Sequence, residues 1–304
     1  MSERITPSMV TSTTLDNLNA SLAAMERTSD ELSSGKTILE PSDNPYGASQ
    51  VIDLQSQLEG LSTYEANAQD GISWEQTASS SMDNMSEVTQ RVRELLVQGA
   101  NGTYNKSDLE TMALDVEQLT ETIKQDANAQ YAGQYIFSGT ATTTAPYESG
   151  ANDEYAGNEE GVSRSVGPGA SITITTNISS LLGNGEASED GGLLDTLRSI
   201  AKTMRNGTAE AQSELGGVYL EKLDGNMETL RDLQASAGSA TDQMQTALTR
   251  NEDLQSSITG ALANLDSTNV AEASIDYANE QAGYEAALRA GASIVQESLL
   301  NFLQ

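Results

Sequence analysis

Neither cysteine nor histidine occurs in the 304 residues. Without cysteine there are no disulfides, no thiolate nucleophiles and no thiolate metal sites. Without histidine there are no imidazole bases, no serine–histidine–aspartate triads and none of the usual zinc ligand sets. Few enzymes of this length work with neither, so the chain reads as a non-enzyme with no cofactor and no bound metal. Aromatic residues are scarce as well, 4% of the chain with one Trp and two Phe. The apolar content is mostly Ala, Leu, Val, Ile and Met, the composition of packed helices rather than of an α/β enzyme. Positive charge is short: 15 basic residues stand against 45 acidic ones, a net charge of -30. Such a surface repels nucleic acid and anionic lipid, so no nucleic acid and no membrane are expected as partners. No stretch approaches the ~20 consecutive apolar residues of a membrane span. The opening Met1–Val10, with Glu3 and Arg4, lacks the apolar run of a cleavable leader. On composition alone the expectation is a cytosolic protein.

Proline is confined to five positions, Pro7, Pro41, Pro45, Pro146 and Pro168. The stretches 46–145 and 169–304 have none, and a chain without proline is free to run as long helices. The apolar spacing agrees. Leu15, Leu18, Leu22, Met25 and Leu32 step by three and four, skipping only Ser29, as an a/d seam. Gly35 is placed as the C-terminal cap of that helix. Glu40–Pro45 is a turn with helix-start chemistry, Asn44 or Asp43 preceding Pro45 at the first helical position. The seam resumes with Val51, Leu54, Leu58, Leu61, Ala68 and Ile72, then Ala78, Met82, Met85, Val88, Val92 and Leu95. Gly99–Asn105 is a turn, and Ser107 or Asp108 is expected to start the next helix, with Leu109, Met112, Val116, Leu119 and Ile123 on one face.

The character changes near Tyr131. Residues 133–192 carry eight acidic residues, one basic residue (Arg164) and many Gly, Ser and Thr. Tyr135-Ile136-Phe137 reads as a strand. Val162 and Val166 alternate around Arg164 before the Gly-Pro-Gly turn at 167–169, and Ile172, Ile174 and Ile178 alternate with polar residues. The acidic pairs Asp153-Glu154 and Glu159-Glu160 lack the twelve-residue ligand order of a calcium loop and read as solvated surface. Helical spacing returns at Leu193 and runs to the end, where Tyr277, Tyr284, Leu288, Val295, Leu299 and Phe302 fit one heptad seam flanked by small residues. Neither terminal helix can bury its own stripe, so the N-terminal helix is expected to pair with the C-terminal one. The expected domains are therefore 1–44 with 266–304 as a terminal coiled coil, 45–132 with 193–265 as a helical rod, and 133–192 as a β-rich outer domain.

Four blocks then match a known pattern: LSSGKTILEPSDNP at Leu32–Pro45, DGISWEQTA at Asp70–Ala78, QRVRELLVQGANGTYN at Gln90–Asn105, and the C-terminal run Val270–Gln304 ending AALRAGASIVQESLLNFLQ. In order and position these resemble the bacterial flagellin family. Within it, GQYIFSGTATTTAPY at Gly133–Tyr147, SRSVGPGASITITTN at Ser163–Asn177 and RITPSMV at Arg4–Val10 are more similar to hook-associated members than to filament subunits. The resemblance implies a mainly α fold, a long helical bundle formed by both chain ends with a small inserted β-rich domain. It implies a structural role at the hook–filament junction, the alternative being a filament-forming flagellin. The implied partners are copies of itself in a ring, another hook-associated protein on the hook side, flagellin on the filament side and an export chaperone. It also overrides the cytosolic expectation: the protein would leave the cell through the flagellar channel, without a cleaved leader, and act outside. The implied assembly residues are the two terminal seams, with Arg91, Arg93 and Leu95 as contacts on the rod.

Overall fold

The structure, a computed structural model, describes residues 7–185 and 188–302, without the side chains of residues 7, 8, 10 and 294–302. Two units form. One comprises Met1–Gly60 and Leu254–Gln304, the other Leu61–Asp253.

The first unit is built on α1 (Pro7–Ser34) packed against α8 (Val270–Phe302). The two run antiparallel, because Gly291 of α8 lies against Thr14 and Leu18 of α1 while the other ends meet near Gly35 and Thr268. Gly35 stops α1 as a left-handed cap: its φ is +70° and its N–H donates to the Glu31 carbonyl at 2.9 Å. The next residues bind the end of α7 and the connector to α8. The Thr37 N–H donates to the Asp266 carbonyl at 2.7 Å, the Thr268 N–H to the Gly35 carbonyl at 3.0 Å, and the Ile38 N–H to Asp266 Oδ1 at 3.0 Å. Helix α2 (Pro45–Gly99) opens as expected, with Asn44 Oδ1 accepting from the Gly47 N–H at 2.9 Å and proline at the first helical position. Asp43 instead folds the preceding turn, accepting from the Glu40 and Leu39 N–H groups. Those bonds, the Glu40 one foremost, hold its carboxyl below the ordinary value of 3.8.

The second unit holds the core. It contains the rest of α2, α3 (Lys106–Ala127), α4 (Ser179–Leu182), α5 (Leu193–Asn206), α6 (Ala209–Glu214), a π turn (Leu215–Tyr219) and the first part of α7 (Leu220–Asp266). Helix α3 starts one residue earlier than the apolar pattern suggests. Asn105 is its cap, accepting from the Asp108 N–H at 3.0 Å while Asp108 reaches back to the Asn105 N–H, a capping box. The sequence signal was the Asn105 to Asp108 spacing, not the first apolar residue. Trp74, Met82, Met85 and Leu96 of α2, Leu109, Val116 and Ile123 of α3, Leu197, Ile200 and Met204 of α5, and Leu223 and Met244 of α7 share one core and are almost fully buried. Each such side chain stabilises the fold by about 1.5–3 kcal/mol.

The insert carries two hairpins. Strands β1 (Gln130–Tyr131) and β2 (Gln134–Tyr135) pair antiparallel around Ala132-Gly133, both at positive φ, which fits a two-residue turn of the primed type. Strands β3 (Ser163–Gly167) and β4 (Ala170–Thr173) pair antiparallel, with a register break between Ser165 and Gly167 and Pro168-Gly169 at the turn. The expected strands are thus shortened. Ile136 and Phe137 lie beyond β2, and Ile174 and Ile178 lie beyond β4. All four are 0% exposed and belong to the same core as the helices. A side chain buried from every direction does not need a pleated partner, so alternation broke down where burial became complete. Strand β3 is gripped by side chains: Asn67 Nδ2 donates to the Ser165 carbonyl at 2.9 Å and Asn251 Nδ2 to the Val166 carbonyl at 3.0 Å. The insert therefore shares a core with the helices around it instead of forming a compact body of its own.

Candidate assembly surface

Where the two units differ most is in what they bury. Both clusters of buried apolar residues lie within Leu61–Asp253. Among the described residues, the first unit buries only Ala48, Val51 and Ala273 as apolar side chains. It also exposes large ones: Leu15 at 55%, Ile52 at 61%, Val270 at 58% and Ile275 at 62%, besides Tyr46, Leu254 and Leu288. Apolar area left in water forgoes roughly 25 cal/mol per Å². Scattered exposed leucines are normal, but their concentration on a unit with so little core marks a surface made to be covered.

The expected N-terminal seam divides. Leu18, Leu22, Met25 and Leu32 are half-buried and Thr28 is buried, whereas Leu15 points to solvent. On α8 the less exposed side runs Ala273, Tyr277, Glu280, Tyr284, Ala287 and Gly291, a repeat of four and three. Tyr277 and Tyr284 are on it. Leu288 is not: it is 44% exposed, one position past Ala287. Within the single chain, the α1–α8 contact thus runs one residue away from Leu288. Close approach at this end uses Gly291, since a Cβ there would stand 3.1 Å from Thr14 Cγ2 and 3.8 Å from Leu18 Cδ1. The side chains of Val295, Leu299 and Phe302 lie outside the described residues. Within the same unit, Gln50, Asp53, Leu54 and Gln57 of α2 and Ala261, Asn264 and Leu265 of α7 line an open groove of about 500 Å³.

The three rod residues part company. Arg93 bridges α2 and α7 through a forked pair with Asp224, 2.7 Å and 3.4 Å, and that bond pulls the Asp224 carboxyl down. Arg91 pairs with Glu94 of its own helix at 2.6 Å. Both pairs are solvent-exposed, a class worth about 0–1 kcal/mol each. Leu95 is not a surface residue: it is 4% exposed and belongs to the core, because Val92, Leu95 and Leu96 form the inward stripe of α2 here.

The acidic pairs of the insert are also split. Glu154, Glu159 and Glu160 are exposed, but Asp153 is 7% exposed and locked in an ion cluster. Lys124 Nζ donates to Asp153 Oδ1 at 2.9 Å and to the carbonyls of Gly150 and Asn152 at 2.8 Å each. Arg198 reaches Asp153 at 3.0 Å and Glu121 at 2.8 Å. A buried lysine paired across 29 positions leaves no periodic trace in sequence.

Residues 5–142 match the bacterial flagellin N-terminal helical region. Flagellin from Salmonella muenchen is 33% identical over 154 residues, which is 50% of this chain and 30% of that protein. The chain spans less than half the length of the curated relatives it matches. Among solved structures, a flagellar hook-associated protein from Vibrio parahaemolyticus superposes with a TM-score of 0.66 at 18% identity, covering 74% of this chain and 100% of that one. The flagellar junction protein FlgL from Legionella pneumophila gives 0.59 at 13% identity, covering 71% and 99%. The fold is therefore the flagellin-like helical fold seen in the solved hook-associated proteins, in a chain whose N-terminal part is similar to the flagellin helical region.

Proposed function

We propose that this chain is a structural subunit of the bacterial flagellum, placed at the junction between hook and filament and assembled through its two terminal helices. The observation that carries this reading is the contrast between the units. Leu61–Asp253 has a complete core, whereas the paired ends expose Leu15, Ile275 and Leu288 and have almost no core of their own. A unit of that kind becomes stable by packing against neighbours, which supply the missing apolar contacts.

The junction position is supported by the two hook-associated structures, whose folds this chain covers almost completely. A filament subunit is the second reading, favoured by the 33% identity to a flagellin. In the junction reading the chain forms a ring with copies of itself, meets another hook-associated protein on the hook side and receives flagellin on the filament side. It travels unfolded through the flagellar channel, held beforehand by an export chaperone, and its role is structural rather than catalytic. The terminal coiled coil of 1–44 and 266–304 is its assembly domain.

A deletion and complementation experiment tests this. A host strain lacking the gene should build hooks, shed flagellin into the medium and not swim, and the wild-type gene should restore filaments. Leu18→Asp should not restore them, because a carboxylate forced into the α1–α8 contact costs several kcal/mol. The main thermal transition of the purified variant, which follows the core of the second unit, should stay in place. Normal filaments on the deletion strain would overturn the junction role, and full rescue by Leu18→Asp would show that this contact is not used.

A further inference from the structure

Asparagine followed by glycine occurs three times, at Asn101-Gly102, Asn184-Gly185 and Asn206-Gly207. The side-chain amide of an asparagine is open to attack by the backbone nitrogen of the next residue, and glycine, without a Cβ, is the least hindered attacker. The reaction needs a free side-chain amide, a backbone N–H that no acceptor holds, and main chain able to swing the two together. The fold treats the three steps differently on each count.

Asn206 is the last residue of α5, so helical backbone fixes its dihedrals. The Gly207 N–H caps that helix by donating to the Thr203 carbonyl at 3.4 Å, and Lys106 packs against Gly207. Asn184 is held twice: its N–H donates to Asp190 Oδ2 at 2.7 Å, and its Oδ1 accepts from the Tyr155 N–H at 3.4 Å. Gly185 is buried, with Asp153 so close that a Cβ would collide with it, which leaves no room for a ring to close. Asn101 has none of these restraints. It lies with Gly102 and Thr103 in the exposed turn between α2 and α3. Its main chain closes that turn: its N–H donates to the Gln98 carbonyl at 3.0 Å, and its carbonyl accepts from the Tyr104 N–H at 3.3 Å. Among the described residues, nothing accepts from the Gly102 N–H and nothing bonds the Asn101 side-chain amide.

We infer that Asn101 is a site of spontaneous deamidation, the one of the three Asn-Gly steps that the fold leaves open. The Gly102 nitrogen bonds to Asn101 Cγ, the Cγ–Nδ2 bond breaks, and ammonia leaves with the proton taken from Gly102. Water then opens the five-membered imide at one of its two carbonyls. Opening at the side-chain carbonyl gives an ordinary aspartyl link. Opening at the main-chain carbonyl gives isoaspartate, which adds a carbon to the main chain. Water is the only co-reactant, so the product accumulates with the age of the chain. Isoaspartate lengthens the turn that sets Tyr104, whose carbonyl accepts from Gln212 Nε2 at 3.3 Å, and so loosens the tie from this turn to α6.

Trypsin places the three steps in separate peptides, 94–106, 165–198 and 206–222, so each controls for the others. The purified full chain is aged in mildly alkaline buffer and digested, and mass spectrometry with fragmentation locates each amide turned acid. Enzymatic methyl transfer to isoaspartate identifies the second product. In the folded chain Asn101 should convert about tenfold faster than Asn184 and Asn206, a difference of ~1.4 kcal/mol in barrier. Aged in urea, where the fold no longer protects, all three should convert at similar rates. Gly102→Ala should slow the change at Asn101 about tenfold, because the added methyl crowds the attacking nitrogen. Its Cβ meets only Gln212 Oε1 at 3.7 Å, an ordinary contact, so the variant keeps the fold. An Asn101 that stays intact in the folded chain, or converts no faster than Asn184 and Asn206, would overturn the assignment. So would a Gly102→Ala chain that deamidates as fast as wild type, since Gly102 would then not be the attacking group.

Discussion

Replacing Glu75 by Gln is expected to raise the thermal stability of the chain strongly near pH 9 and to change it little near pH 4.5. Glu75 sits on α2 inside the second unit at 1% exposure, and its Oε2 has no hydrogen-bond partner among the described residues. Burial disfavours the charged form, and it pushes the carboxyl from its ordinary value of 4.5 up to about 8. The folded chain therefore binds this proton more tightly than the unfolded chain. Between pH 4.5 and about 8 the folded state holds more protons, so the contribution of Glu75 is most favourable below 4.5. It is lost progressively as pH rises through about 8 and is constant beyond that. At roughly 1.4 kcal/mol per pH unit the loss is on the order of 5 kcal/mol. Gln has nearly the same shape and never ionises, so the variant escapes it. Denaturant melts of both proteins across this range should diverge as pH rises. Parallel curves would show that Glu75 reaches water or a partner in solution.

Lys124→Met is expected to destabilise the second unit by about 3–5 kcal/mol, the penalty of breaking a buried ion pair from one side. Lys124 is 1% exposed, and its ammonium satisfies Asp153 and two carbonyls at once. Burial pushes the Asp153 carboxyl upward. Hydrogen bonds from Arg198 and Lys124 outweigh this and hold it below 3.8. Met fills the volume of the lysine stem but leaves the carbonyls of Gly150 and Asn152 without that donor. Arg198 still donates to Asp153 and to Gly150, which keeps the loss at the lower end of the range. At about 2–4 °C per kcal/mol for a unit of this size, the melting temperature should drop by roughly 10 °C. Limited proteolysis should then cut within 148–160, the loop that Lys124 ties to α3. For contrast, Arg91→Ala breaks an exposed pair and should cost under about 1 kcal/mol. A Lys124→Met protein melting within about 2 °C of wild type would mean that the cluster is hydrated and Arg198 alone anchors the loop.

Several features of the fold were legible because they are local. A proline-free stretch with apolar residues every three or four positions forms a helix whatever surrounds it, and α2, α3, α5, α7 and α8 all follow that rule. Gly35 and the Asn44-Pro45 step marked helix ends through backbone chemistry that needs no distant partner. What depended on tertiary contact was misplaced or missed. Gly291, not Leu288, meets α1 within the single chain, because close helix approach selects the smallest residue rather than the most apolar one. Leu95, expected with Arg91 and Arg93 as a contact on the rod, is a core residue, as its place in the apolar stripe with Val92 also implies. The π turn at Leu215–Tyr219 and the Lys124–Asp153 pair have no periodic signature at all. Nor did alternation in 133–192 reveal that Ile136, Phe137, Ile174 and Ile178 complete the core of the helices.

The low burial of the terminal unit fits the proposed role of a subunit that completes its packing against neighbours. Ordering two helices of 28 and 33 residues alone would cost conformational entropy that Ala48, Val51 and Ala273 cannot offset. In the proposed role, neighbouring subunits would supply the rest of the apolar contact, coupling folding of the ends to assembly.

The position of the protein along the flagellum tests this account most directly. Immunogold labelling of intact flagella, with antibody raised against the second unit, should give a single narrow band where hook meets filament and bare filament beyond it. Label spread along the whole filament would contradict the junction role and make the chain a filament subunit.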